Sequence, residues 1–192
     1  DSFIELQKRK NFDTDWTKAF LDSMQHDLVK STCDTLEETL SYIYGSAEVI
    51  GLFMARILDL DDDALPYAKM LGRAMQYINF LRDIDEDNSL NRRYLPLTDT
   101  SLTDLHETSA LSQKEEFPSL LKREVERYLS WQKEAAKGYA YIPRRYRIPI
   151  MTAADMYCWT ASTIAKDPFI VFKRKVKPSK IQIMRKGFTH IL

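Results

Sequence analysis

Apolar residues recur at intervals of three and four along most of this chain, the spacing of helices that bury one face and wet the other. Phe12, Trp16, Phe20, Leu21, Met24 and Leu28 mark one or two helices over residues 1–31. Ser31 and Thr32, then Asp34, Glu37 and Glu38, offer capping oxygens and negative charge to a helix start, and the helix they open runs to about Leu58. The acidic stretch 59–63 ends it. A second long helix starts near Pro66 and continues to about Asp87, after which Asn88, Ser89, Asn91 and Leu95-Pro96 signal a loop. Residues 97–113, rich in Ser, Thr and Asp, predict a loop or a short helix. Phe117 to about Gly138 is amphipathic through Leu120, Leu121, Val125, Tyr128, Leu129 and Trp131, with Gly138 as its C-cap. A last helix over 148–165 closes at Lys166-Asp167-Pro168 and leaves a Lys/Arg-rich tail from Phe169. No stretch alternates with period two long enough to require a strand, so the expected fold class is all-α, with one domain over residues 1–192.

Composition narrows the function classes. With 5 Gly and 7 Pro in 192 residues, 44% hydrophobic and 29% charged, the chain is neither collagen-like nor low-complexity nor disordered by charge. Two cysteines, Cys33 and Cys158, cannot frame a disulfide scaffold, so a reducing, cytoplasmic setting is the default. No apolar run is long enough to span a bilayer. The chain begins at Asp1 rather than Met and without an apolar leader, from which an N-terminus trimmed or cut upstream is expected. A net charge of zero conceals a division: residues 141–192 carry 11 Lys and Arg against 2 Asp and Glu, and residues 1–140 carry 17 against 26. Such a basic block attracts nucleic acid, an anionic membrane surface or a phosphorylated substrate, or is a solvated face. No helix-turn-helix or base-stacking motif accompanies it, which argues against nucleic acid.

The chemistry concentrates in residues 71–96, LGRAMQYINFLRDIDEDNSLNRRYLP. At about 100° per residue, Gln76, Asn79, Asp83 and Asp87 share an arc of roughly 80°, while Met75, Tyr77, Ile78, Phe80, Leu81 and Ile84 fill most of the rest. A helix apolar on most sides is buried, and burying two carboxylates and two carboxamides without partners is costly, so the stripe is expected to line a wet, charged cavity. Carboxylates four residues apart project together, and such oxygen donors suit hard divalent cations, Mg²⁺ above all. Asp83 and Asp87 fit that use, with Asn79 a turn earlier. The alternative is a solvated face on which Arg82 pairs with Glu86. His26, His106 and His190 have no ligand spacing and are expected at the surface, which makes zinc a poor fit.

The combination Gln76-x-x-Asn79-x-x-Arg82-Asp83-x-x-Glu86-Asp87, preceded by Leu71-Gly72 and followed by Arg92-Arg93-Tyr94-Leu95-Pro96, resembles the second aspartate-rich motif of the squalene/phytoene synthase family. YIYGSAEVIG at 42–51, FLDSMQHDL at 20–28, Tyr157 and DPFIVFKRKVKPSK at 167–180 resemble further segments of that family. The resemblance implies an all-helical isoprenoid synthase fold that joins two prenyl diphosphates head to head through a cyclopropyl intermediate. It implies Mg²⁺ or Mn²⁺ held by Asp83 and Asp87 with Asn79, and diphosphate or water oriented by Gln76 and Asn79. Arg92 or Arg93 would meet phosphate oxygens, Tyr42 would face the reacting carbon, and Tyr94 and Tyr157 would line the substrate site. Ala47 and Gly51 would leave width for a prenyl tail or, equally, allow close helix packing.

Three departures stand out. The family's other Asp-x-x-x-Asp motif precedes the segment matched by residues 20–28, so this chain starts too late to contain it; Asp59 and Asp63 have the spacing but belong to the solvated loop. Glu48 stands where the family has a small or neutral residue, and the loop from Asp87 to Tyr94 is one residue short. The leading expectation is a phytoene or dehydrosqualene synthase acting on farnesyl or geranylgeranyl diphosphate, with NADPH needed only by a squalene synthase. The alternative is an inactive relative serving as a membrane-associated scaffold. Lys173, Arg174, Lys175, Lys177 and Lys180 are expected to bind anionic lipid, as a peripheral protein would.

Overall fold

The computed structural model describes residues 2–26, 28 and 31–191. Asp1 and Asp27, the latter inside the 20–28 stretch, lie outside the described residues. Helices α1 (Ser2–Lys10) and α2 (Thr14–His26) divide at Asn11, whose φ of 50° turns the chain. Helix α3 (Leu36–Ile43) is capped by Thr35, whose hydroxyl accepts from the Glu38 amide at 3.2 Å while the Glu38 carboxylate accepts from the Asp34 amide at 2.7 Å. The cap therefore lies three residues beyond Thr32. Thr32 instead bridges to Arg93, with Cys33 N donating to Arg93 O at 2.7 Å and Arg93 N to Ser31 O at 2.8 Å.

A π turn over Tyr44–Glu48 joins α3 to α4 (Val49–Ile57), which ends at Leu58 as the acidic stretch requires. A 3₁₀ turn (Asp62–Ala64) then leads into α5 (Leu65–Arg82), with Pro66 in its first turn. The long helix expected to reach Asp87 breaks at Asp83, whose φ of −103° and ψ of 20° separate α5 from α6 (Ile84–Ser89). Aspartate tolerates that bridge conformation, and both Arg82 side-chain bonds to its carboxylate hold it there. Helix α7 (Glu107–Ser112) is the short helix of the 97–113 segment. Helix α8 (Glu116–Ala136) runs into a 3₁₀ turn (Lys137–Tyr141), so Gly138 is not a left-handed cap; a Cβ there would overlap the Tyr67 side chain.

Helix α9 (Arg144–Lys166) begins four residues earlier than its apolar pattern, behind Pro143, and carries Pro149 within its second turn. Beyond it the basic tail is itself structured, as α10 (Ile170–Lys173) and α11 (Lys180–Ile191). Among the described residues there is no strand, only the Thr32–Arg93 bridge.

Helix α5 is the axis of the fold. It packs most heavily on α8, then on α4, the π turn and α9, and buries Ala74, Tyr77, Ile78, Phe80 and Leu81. Tyr77 OH donates to the buried Glu124 carboxylate at 2.5 Å, and Arg127 donates to the same group at 2.7 Å, so this buried carboxylate at the α5–α8 seam is paired. On the opposite side backbones come close: a Cβ on Gly72 would overlap the Ala47 carbonyl oxygen, and one on Gly51 the Ala68 carbonyl oxygen. Glu48, the unexpected charge, is fully buried there and paired with Arg73 at 2.5 Å and Lys69 at 3.4 Å, both from α5.

Candidate active site

The close approach of the π turn and α4 to α5 leaves a cavity of about 350 Å³ beside it, closed below by the 3₁₀ turn after α8. Its walls are apolar, from Ala47, Gly51, Leu58, Leu71, Met75 and Tyr139 among others, and Ile50 and Met54 form a solvent-exposed lip. Two carboxamides, Gln76 and Asn79, reach it from α5. The Asn79 Oδ1 atom is buried and has no hydrogen-bond partner among the described residues. A buried carbonyl oxygen left unpaired is costly, and it marks where a donor or a cation would be favoured.

One turn beyond Asn79 the environment becomes ionic. Asp83 accepts from Arg82 Nε at 2.8 Å and from its terminal nitrogen at 2.5 Å, and Lys175 Nζ lies 3.3 Å away. Lys175 also pairs with Glu86, so the segment after α10 is pinned to the acidic cluster. Burial raises the Asp83 carboxyl, but the bonds and charges of Arg82 and Lys175 outweigh it and hold the group below its ordinary value. Asp87 behaves oppositely. Burial, then the charge of Asp83, pushes its carboxyl up to about 7 against the smaller opposing pull of Arg92. Asp87, Arg92, Arg93 and Tyr94 share a small hollow at this end of the bundle.

The stripe is therefore divided: Gln76 and Asn79 face the apolar cavity, while Asp83 and Asp87 face cations and each other beyond its end. Arg82 pairs with its neighbour Asp83 and not with Glu86, because the break after α5 turns α6 away from the i,i+4 position. Arg93 is occupied structurally, donating to the carbonyls of Cys33 at 2.6 Å and Leu95 at 2.9 Å and pairing with Asp34, which leaves Arg92 as the guanidinium acting on Asp87. Tyr42 stacks on Tyr94, with centroids 4.9 Å apart, and Tyr94 on Phe80, so Tyr42 stands in an aromatic wall rather than along the 350 Å³ cavity. Tyr157 and Arg82 line a separate groove between α9 and α11. Gly51 and Ala47 line the cavity and are also points of close backbone approach.

Asp59 is exposed and paired with Lys10 at 2.7 Å, and Asp63 is exposed, in keeping with the loop reading. The histidines depart from expectation: only His106 is exposed, whereas His26 packs 5.9 Å from the Tyr42 ring and His190 Nε2 lies 2.8 Å from Asp155. Lys175, expected in a lipid-binding tail, belongs to the acidic cluster, and Lys173 pairs with Asp167 at 3.0 Å. Nothing local in the sequence marks this pairing, since Lys175 and Glu86 lie 89 residues apart.

Among the described residues no group of three or more His, Cys, Asp and Glu side chains is set to hold a metal ion. The donors present, two carboxylates and an unpaired amide oxygen, suit instead a hard cation that brings water or phosphate as the rest of its shell.

The squalene/phytoene synthase family matches residues 1–182 of the chain. The chain is 30% identical over 164 residues to 15-cis-phytoene synthase of Synechocystis sp., covering 78% of this chain and 49% of that protein. It is 36% identical over 140 residues to the enzyme of the same name from Enterobacter agglomerans, covering 68% and 45%. It thus spans about half the length of the curated relatives it matches. Among solved structures it superposes on squalene synthase HpnC from Alicyclobacillus acidocaldarius with a TM-score of 0.76 at 22% identity, covering 85% of this chain and 63% of that one. A dehydrosqualene synthase in complex with ligand gives the same score and identity over 93% and 64%. These two likenesses establish the fold.

Proposed function

This chain belongs to the squalene/phytoene synthase family, and from that premise we propose that it joins two prenyl diphosphates head to head with release of diphosphate, in the manner of phytoene and dehydrosqualene synthases. The observation that carries the reading is a single sequence of environments along α5. An apolar cavity ends at Gln76 and at an unpaired Asn79 oxygen, and beyond it Asp83 and Asp87 sit among Arg82, Arg92 and Lys175. An allylic diphosphate has the same order of parts: hydrocarbon tail, reacting carbon, polyanionic head.

Departure of that head requires its charge to be met and water to be kept from the carbocation left behind. Asp83, Asp87 and Asn79 would hold Mg²⁺ or Mn²⁺, and the ion when bound neutralises charge on the leaving diphosphate. Arg92 would meet phosphate oxygens with its planar fork, while Arg82 and Lys175, paired with Asp83, add positive charge beside it. Gln76 orients the head group, and the apolar wall with Ala47 and Gly51 excludes water from the tail. Tyr42, stacked on Tyr94, would supply an aromatic ring near positive charge on carbon. Tyr157 acts through Arg82, beside which it lines the groove under α11. Arg93 keeps the 31–33 segment against the loop after α6.

One observation favours the scaffold reading as well: the side chains of Arg82 and Lys175 already neutralise Asp83. Incubating the full-length protein with farnesyl or geranylgeranyl diphosphate and Mg²⁺, with and without NADPH, separates the two. A linear C30 or C40 hydrocarbon is expected, and Asp83→Ala and Asp87→Ala should each lower its formation by more than about 100-fold with helical content unchanged. Undiminished turnover in either variant refutes the assignment, and no product from any substrate pair favours the scaffold.

A further inference from the structure

The acidic end of the bundle converges on a lysine. The point that the Asp83 and Glu86 carboxylates share is Lys175 Nζ, which lies 3.3 Å from Asp83 Oδ1 and is bonded to Glu86. Arg82 already holds both Asp83 oxygens with its planar fork, at 2.8 and 2.5 Å, so the ammonium takes a lone-pair direction that remains on Oδ1. Among the described residues no three acidic, histidine or cysteine side chains meet at a point of their own. A divalent ion shared by Asp83 and its neighbours needs those same oxygens, and it cannot lie beside an ammonium without like-charge repulsion.

The two cations on Asp83 are not equally fixed. Arg82 is its chain neighbour, bonds it twice and is 17% exposed; Lys175 approaches through one rotatable group and is 37% exposed. The backbone around Lys175 is held, because Val176 beside it and Ile170 and Val171 of α10 are buried in the main core. Only the four-carbon stem swings. A lysine displaced from two carboxylates loses its acceptors, which is costly unless a new anion arrives with the displacing ion. A diphosphate is such an anion. Lys177, two residues on, is exposed and meets no carboxylate among the described residues, so the pairing belongs to the position of Lys175 and not to the basic run as a whole.

On the reading of this end as a metal and diphosphate site, we propose that Lys175 is a positioning residue that a divalent cation displaces from Asp83 and Glu86 and that then donates to the diphosphate oxygens. The ammonium holds off metal alone and admits metal and diphosphate as a pair, a coupling that acts equally on the affinity of each.

Titration calorimetry at fixed pH with Mn²⁺ alone, and with the preformed Mn²⁺–pyrophosphate complex, tests this without turnover. Relative to the parent, Lys175→Gln is expected to bind Mn²⁺ alone more tightly, by about tenfold or more, and to bind the complex less tightly by a similar factor. Lys175→Arg, which keeps the charge, returns both affinities toward the parent, and Lys177→Gln changes neither. A role confined to holding the tail in place would lower both affinities or neither, so the opposite signs are diagnostic. The proposal is overturned if Lys175→Gln binds Mn²⁺ as the parent does, if it binds the complex undiminished, or if Lys177→Gln reproduces its gain; each of these leaves the metal and diphosphate reading intact. Failure of the parent and of Lys175→Gln to bind either Mn²⁺ or the complex overturns that reading, and the proposal with it.

Discussion

Asp83 and Asp87 occupy neighbouring turns yet their carboxyls are shifted in opposite directions, because Arg82 and Lys175 attend the first and burial dominates the second. The Asp87 carboxyl, pushed up to about 7, binds its proton more tightly in the folded chain than in the unfolded one. The folded state therefore loses stability as pH rises from the unfolded value of about 4 through about 7, and the loss is complete above that. Asp87→Asn removes the penalty. Because the group is partly open to water, the gain is discounted to about 1–2 kcal/mol near pH 8, with none near pH 4. Thermal melts of both proteins at the two pH values check it, and an equal shift at both would locate the effect elsewhere. A residue that destabilises its own fold at neutral pH while facing a second carboxylate is one kept for something other than stability.

Between elements, glycine geometry decides how closely α5 and the π turn approach. Gly72→Ala would gain up to about 1 kcal/mol of helix propensity in an isolated helix. Here the new methyl meets the Ala47 carbonyl oxygen, on backbone that cannot swing aside. A net loss of about 1–3 kcal/mol is expected in urea unfolding, and a neutral result would show that the π turn yields. Most helices were legible from their 3.6-residue period, but the π turn and the break at Asp83 were not. Each alters register by a fraction of a turn, and a pattern of apolar spacings tolerates that without losing its period. Around the π turn the chain serves two places: Tyr42 before it joins Tyr94 and Phe80, whereas Ala47 within it and Gly51 after it face the cavity.

At the scale of the molecule, the 350 Å³ cavity belongs to no single segment; the π turn, α4, α5, the 3₁₀ turn after α8 and α9 each supply wall. Met75→Trp fills part of it from the α5 side. Affinity for geranylgeranyl diphosphate should fall on the order of tenfold while inorganic pyrophosphate binds as before, because only the tail loses space. Titration calorimetry with both ligands reads the difference, and a parallel loss for pyrophosphate would mean that the tail does not lie in this cavity. The basic C-terminal region is likewise resolved only by the whole fold, into lysines that pair with Asp167, Asp83, Glu86 and Asp155 and cations that turn outward on α11.

By itself the sequence determined the all-helical class, the punctuation around Leu58, Pro66 and Leu95-Pro96, and the one helix on which carboxamides and carboxylates share a stripe. These rest on local rules of period, capping and breakers, which act over a few residues and are written in composition. Tertiary structure alone decided that Arg93 holds a bridge while Arg92 acts on Asp87, that Glu48 is buried against Arg73 and Lys69, and that Lys175 returns across the chain to Asp83. A charged side chain is equally at home in water or beside an opposite charge, and which it meets depends on how distant helices pack.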